Sequence, residues 1–135
     1  MSDDEAKWGK YGLEEKITEI LKSEKQTNQL GKPFMTAYQI AIEFKKKYPT
    51  EFSSLGKHIG GSGTGNDALT QYFSLQLSKH INGGKIKHIE GGNFSKTDLS
   101  EVAFKTGNSC DECIKASSPD WNSNMSIFRF LEKSN

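Results

Sequence analysis

Three groups of residues in this chain of 135 carry side chains capable of chemistry. They are the histidines His58, His80 and His88, the pair in Cys110-Asp111-Glu112-Cys113, and a set of polar and lysine side chains between residues 66 and 97. A single Cys-x-x-Cys supplies two of the four ligands of a tetrahedral zinc site, and the histidines have no paired spacing that would complete it. A thioredoxin-like role needs a strand running into the motif, and none is expected there. The expectation is no metal and no cofactor. Nucleophilic catalysis needs a base within reach of Cys110 or Ser62, and no spacing of the histidines supports one. His80, at a helix end, reads as a dipole-complementing or core residue. The chain is therefore expected to bind rather than to catalyse.

The run Gly60-Gly61-Ser62-Gly63-Thr64-Gly65 precedes a helix. Such a run can present backbone N–H groups to phosphate oxygens, and a flexible linker or turn is the other reading. It is not a Walker A loop, because Gly65 is followed by Asn66 and Asp67 instead of lysine and a hydroxyl residue, and the Asp67 carboxylate repels a nucleotide phosphate. No apolar strand comes before it, so the dinucleotide fingerprint also fails.

Charge narrows the partners. The net charge of +1 hides a basic middle, with eleven lysines against five acids in residues 22–97, set between two acidic ends. That arrangement can place a positive surface beside a duplex while the chain stays near neutral, and a soluble domain with lysine-rich helix ends would look the same. Arg129 is the one arginine among 18 basic residues. Lysine suits point contact with phosphate, whereas bidentate reading of guanine favours arginine, so any base readout must come from other side chains. No apolar run approaches the roughly 20 residues of a membrane span, and the start Ser2-Asp3-Asp4-Glu5 is unlike a signal peptide. An intracellular setting is expected, cytoplasmic or, in a eukaryote, nuclear.

The elements that must position these residues follow from periodicity. Leu13, Ile17, Ile20 and Leu21 mark one face of a first helix. Thr36 and Gln39 form a capping box for a second, lined by Ala37, Ile40, Ala41, Phe44 and Tyr48, with Lys45, Lys46 and Lys47 against the dipole and Pro49 as its end. A third helix is predicted over Asp67 to Ile81, with Leu69, Phe73, Leu77 and Ile81 inward. Its expected solvent face carries Asp67, Thr70, Gln71, Ser74, Ser78 and Lys79. Glutamine pairs with adenine, and serine or threonine reaches base or backbone, so this face suits a nucleic acid, an ordinary polar face being the alternative. Residues 85–90 read as a strand, Gly91-Gly92 as its turn and Asn93-Phe94 as the return strand. Ser95 or Thr97 then caps a short fourth helix with Leu99, Val102, Ala103 and Phe104 inward. Residues 105–124 read as irregular, and Met125 to Leu131 as a strand closing the sheet.

The expected fold class is α+β, mainly helical, with three to four helices and a small antiparallel sheet made of the hairpin and the C-terminal strand. It would form one domain over residues 13–135, after an acidic lead-in at 1–12 pinned by Trp8 and Tyr11. This order, three helices, a β-hairpin and a further strand, resembles the winged helix-turn-helix domains over residues 13–94. In that family the third helix enters the major groove and the hairpin, or wing, lies against the flanking backbone or minor groove. The resemblance implies double-stranded DNA as partner and a role in transcription regulation. It places Asn66, Thr70, Gln71, Ser74 and Lys79 toward the groove, and Lys85, Lys87, His88 and Asn93 on the wing. Dimers are common where such domains read paired half-sites, so a homodimer is an open expectation. Winged-helix folds also serve as protein-interaction modules, which leaves a small intracellular adaptor as the alternative.

Overall fold

The computed structural model describes residues 3–59, 68–93, 95, 97–98, 101–105, 114–117 and 126–131. Among these residues the architecture is α+β, with five helices around a small antiparallel sheet.

Helix α1, Asp3–Lys10, occupies the stretch expected to be a loose lead-in. Eight residues are too few for a stable isolated helix, and the reason it forms is tertiary. Trp8 is buried, stacked on His80 at 5.5 Å between centroids and edge-on to Tyr72 at 6.3 Å. Gly12, in the left-handed region at φ 59°, turns the chain into α2, Leu13–Lys22. That helix buries Leu13, Ile17, Ile20 and Leu21, the face its sequence period predicts.

The short strand β1, Met35–Thr36, leads directly into α3, Ala37–Lys47. The capping box is formed in both directions: Gln39 N–H donates to Thr36 Oγ1 at 3.2 Å, and Thr36 N–H donates to Gln39 Oε1 at 2.7 Å. Pro49 ends α3 and also starts another helix, α4, Pro49–Leu55, because the first turn does not need its missing N–H. Gly56 closes α4 at φ 66°. Helix α5, Leu69–Asn82, runs through the centre of the molecule, and Phe73 meets Phe44 of α3 edge-on at 5.3 Å.

Strand β2, Ile89–Asn93, overturns the predicted hairpin. It runs straight through Gly91-Gly92, and its antiparallel partner is the distant β5, Ser126–Phe130, with Gly91 opposite Phe128 and Asn93 opposite Ser126. Glycine at 91 serves close approach here: a Cβ would lie 3.3 Å from Phe128 Cε1 and 3.6 Å from Ile81 Cδ1. The C-terminal strand does close the sheet, as its central member in the order β1-β5-β2.

The predicted fourth helix is also overturned. Glu101–Phe104 is strand β3, paired antiparallel with β4, Ile114–Ser117, inside the segment expected to be irregular. Alternation decided this: Val102 and Phe104, two apart, both pack toward Tyr38 and Ile42, and the Phe104 ring stacks on Tyr38 at 4.9 Å. A larger core gathers α1, α2, α3, α5 and the sheet around Phe44, Phe73 and Phe128. The Gly60 to Asp67 connection, Cys110 and Cys113 lie outside the described residues.

Candidate nucleic-acid interface

Helix α5 is buried over most of its circumference. Leu69, Phe73 and Leu77 face the core, Tyr72, Gln76 and His80 lie buried beside them, and Thr70 and Ser74 are buried on the other flank. At 3.6 residues per turn these positions cover an arc of roughly 200°. What remains is one outward stripe formed by exposed Leu75, Lys79 and Asn82 and half-buried Gln71 and Ser78, with Leu75 55% exposed at its middle.

The predicted polar face is therefore only partly the exposed one. Thr70 is 1% exposed, and its hydroxyl donates to the Ile59 carbonyl at 2.6 Å, fixing the entry to the helix. Ser74 is 2% exposed and donates to Ser126 Oγ at 3.0 Å, joining α5 to β5. Both hydroxyls satisfy interior hydrogen bonds and are turned away from any duplex laid along the stripe. Asn66 lies outside the described residues. Gln71 and Lys79 do stand on the stripe.

Lys79 borders the stripe on the side of α1, where its ammonium pairs with the Glu5 carboxylate. This hydrogen bond, aided by the charges of Lys79 and His80 and a bond from Gln76, holds the Glu5 carboxyl below its usual range despite partial desolvation. On the other side the stripe meets strand β2. There Ser78, Asn82, Asn93 and Ser126 rim a small polar notch of about 200 Å³, floored by Ile81 and Phe128. Asn93 is thus placed beside the C-terminal half of α5, at the end of a strand instead of past a turn.

Lys85 and Lys87 are exposed between α5 and β2. The backbone N–H groups of Lys85 and Ile86 both donate to the His80 carbonyl, at 2.9 and 3.1 Å, which fixes where this basic segment leaves the helix. His88 stands apart from that surface. The Thr18 hydroxyl donates to the Glu14 carbonyl at 2.7 Å and lies 2.9 Å from His88 Nε2, a hydrogen bond that ties the ring to α2.

Leu75 and Asn82 were missing from the sequence-based site, and Ser78 was placed on the polar face but not among the residues expected toward the groove. Their signal was the breadth of the apolar pattern: with Leu69, Tyr72, Phe73, Gln76 and Leu77 inward, a stripe spaced four, three and four is left outside. Arg129 is committed to structure. Its Nε donates to Glu90 Oε1 at 2.6 Å, its Nη1 to the Leu30 carbonyl at 2.6 Å, and its guanidinium lies over the Phe34 ring at 4.5 Å.

No family model, curated protein or solved structure matches the chain.

A larger cavity of about 500 Å³ lies between α3 and β3, over Met35, Ile42 and Phe104, and none of the predicted site residues lines it. Its rim mixes Glu24 and Glu43 with Lys46 and Lys105, so it offers a polyanion no net attraction. Among the described residues, no group of three or more His, Cys, Asp or Glu side chains is placed to hold a metal ion, and no helix is long and apolar enough to cross a membrane.

Proposed function

We propose that this chain is a winged-helix-type module that binds double-stranded DNA inside the cell, with α5 as the helix presented to the major groove. The observation that carries the reading is the outward stripe of α5, in which Gln71 and Ser78 are half-buried and Leu75, Lys79 and Asn82 exposed. Gln71, Ser78 and Asn82 give it hydrogen-bonding groups without acids, and Lys85 and Lys87 lie exposed just beyond its C-terminal end. A helix fits the major groove, lysine attracts phosphate, and amide and hydroxyl side chains reach base edges.

The connectivity supports the same reading. The short strand β1 sits between α2 and α3, β2 is the next element after α5 across residues 83–88, and β2 pairs with β5 after a long excursion that includes β3 and β4. In winged-helix terms β2 and β5 form the base of the wing. The wing is then a long one, and the basic residues at 85 and 87 precede it.

The adaptor reading is favoured by Leu75, an exposed apolar side chain of the kind that anchors protein contacts. A fluorescence-anisotropy titration against a random-sequence duplex at low and near-physiological salt separates the two. The DNA module gives binding that weakens steeply with salt, with a log-log slope of about −0.9 per phosphate neutralised. Absence of binding at low salt would overturn it in favour of the adaptor.

A further inference from the structure

The outward stripe of α5 carries a restricted set of side chains, and the set has a meaning in the major-groove code. Guanine is read by arginine or lysine, cytosine by glutamate or aspartate, adenine by asparagine or glutamine, and thymine by apolar contact with its C5-methyl group. The stripe runs Gln71, Leu75, Ser78, Lys79, Asn82. It has no acid to accept from cytosine. Its one cation, Lys79, stands at the margin with its ammonium paired to Glu5 of α1. The chain's single arginine is held by Glu90, Leu30 and Phe34 on the sheet. What remains is two carboxamides with an exposed leucine between them and a serine that accepts either base. Resting on the DNA-binding reading above, we infer that α5 selects A·T base pairs, with Gln71 and Asn82 reading adenine and Leu75 packing on a thymine methyl group.

The dimensions agree. From Gln71 to Asn82 the helix advances about 16 Å at 1.5 Å per residue. That is roughly the height of five stacked base pairs at 3.4 Å each. Gln71 and Leu75 are about 6 Å apart along the axis, close to two base-pair steps, so an adenine contact and a thymine-methyl contact fall on nearby pairs of one site. Asn93, on the notch beside Asn82, extends the amide set at the end next to β2.

The test uses the full chain and three duplexes of equal length and identical flanks: one with an A·T core, one with a G·C core, and the A·T duplex with every core thymine replaced by deoxyuridine. Deoxyuridine keeps the charge and the hydrogen-bonding edge and removes only the C5-methyl group. The expected result is at least about tenfold tighter binding of the A·T core than of the G·C core. Deoxyuridine should weaken binding about fourfold per methyl contacted. Leu75→Ala, at an exposed position where folding is not at stake, should bind the thymine and deoxyuridine duplexes alike.

Equal, salt-sensitive binding to all three duplexes would overturn the A·T assignment and leave the DNA-binding reading standing. A deoxyuridine penalty that persists in Leu75→Ala would remove Leu75 as the methyl reader. No binding to any duplex at low salt would overturn both the assignment and the reading on which it rests, and would leave Leu75 as a protein contact.

Discussion

At the scale of single residues, Gly31 and Glu5 show how one side chain, or its absence, holds distant parts together. Gly31 sits at φ 104°, and a Cβ there would lie 2.8 Å from Arg129 Nη1. Gly31→Ala would strain the backbone and also push the guanidinium off the Leu30 carbonyl. We expect it to destabilise the fold by about 2 kcal/mol, within the range for backbone strain of this kind, visible as a lowered denaturation midpoint in urea. Glu5 has a folded pKa below its unfolded value because Lys79 hydrogen-bonds its charged form. Its contribution to docking α1 is therefore present above the unfolded pKa and fades as pH falls through the folded one. Trp8, stacked on His80, reports that docking. With Trp121, the other tryptophan, replaced by phenylalanine, Trp8 fluorescence should shift toward that of exposed indole on acidification below the ordinary glutamate range. Glu5→Gln should lose that acid-dependent step, and a step unchanged in Glu5→Gln would assign it to another group.

At the scale of elements, β1 and α3 are joined at Thr36, which is both a sheet residue opposite Ile127 and the N-cap of the helix. Thr36→Ala removes the acceptor for Gln39 N–H and should cost about 1 kcal/mol. Thr36→Ser keeps the hydroxyl and should restore most of it, and the pair of unfolding midpoints distinguishes a cap from a packing role. The predicted hairpin failed at this same scale. Gly-Gly is a strong local turn signal, but here the Phe128 ring and Ile81 need the space that glycine leaves, and cross-strand packing with β5 outweighed the local preference. The fourth helix failed for a similar reason, since Val102 and Phe104 find Tyr38 and Ile42 by alternating in a strand.

At the scale of the whole molecule, the proposed DNA binding rests on how a near-neutral chain distributes its charge. The acids are concentrated toward the two ends of the sequence and the lysines toward its middle, but folding brings Glu5 onto Lys79 and leaves Lys85 and Lys87 exposed. Lys85→Ala combined with Lys87→Ala should weaken binding to all duplex sequences alike. It should also make the log-log salt slope shallower by about 1.8, the equivalent of two phosphates, with no change in the preference of A·T over G·C. A changed preference with an unchanged slope would move these lysines from the backbone to the bases. Local charge along the sequence was readable in advance, but which lysine an acid would neutralise was not.

The sequence alone determined the elements whose signals are local. Helix α2 follows from its apolar period, α3 from that period and its capping box, the body of α5 from Leu69, Phe73 and Leu77, and strand β5 from its composition, because each signal lies within a few residues of the structure it specifies. The tertiary structure decided what depends on partners far along the chain. Trp8 makes a helix of the acidic lead-in by finding His80, and Phe128 draws Gly91 into a strand. Ile59 and Ser126 bury the hydroxyls of Thr70 and Ser74. The outward stripe of α5 belongs to this second class: periodicity gives a helix its inner line, but the neighbours that close around it fix how wide the buried arc becomes, and so which residues are left facing outward.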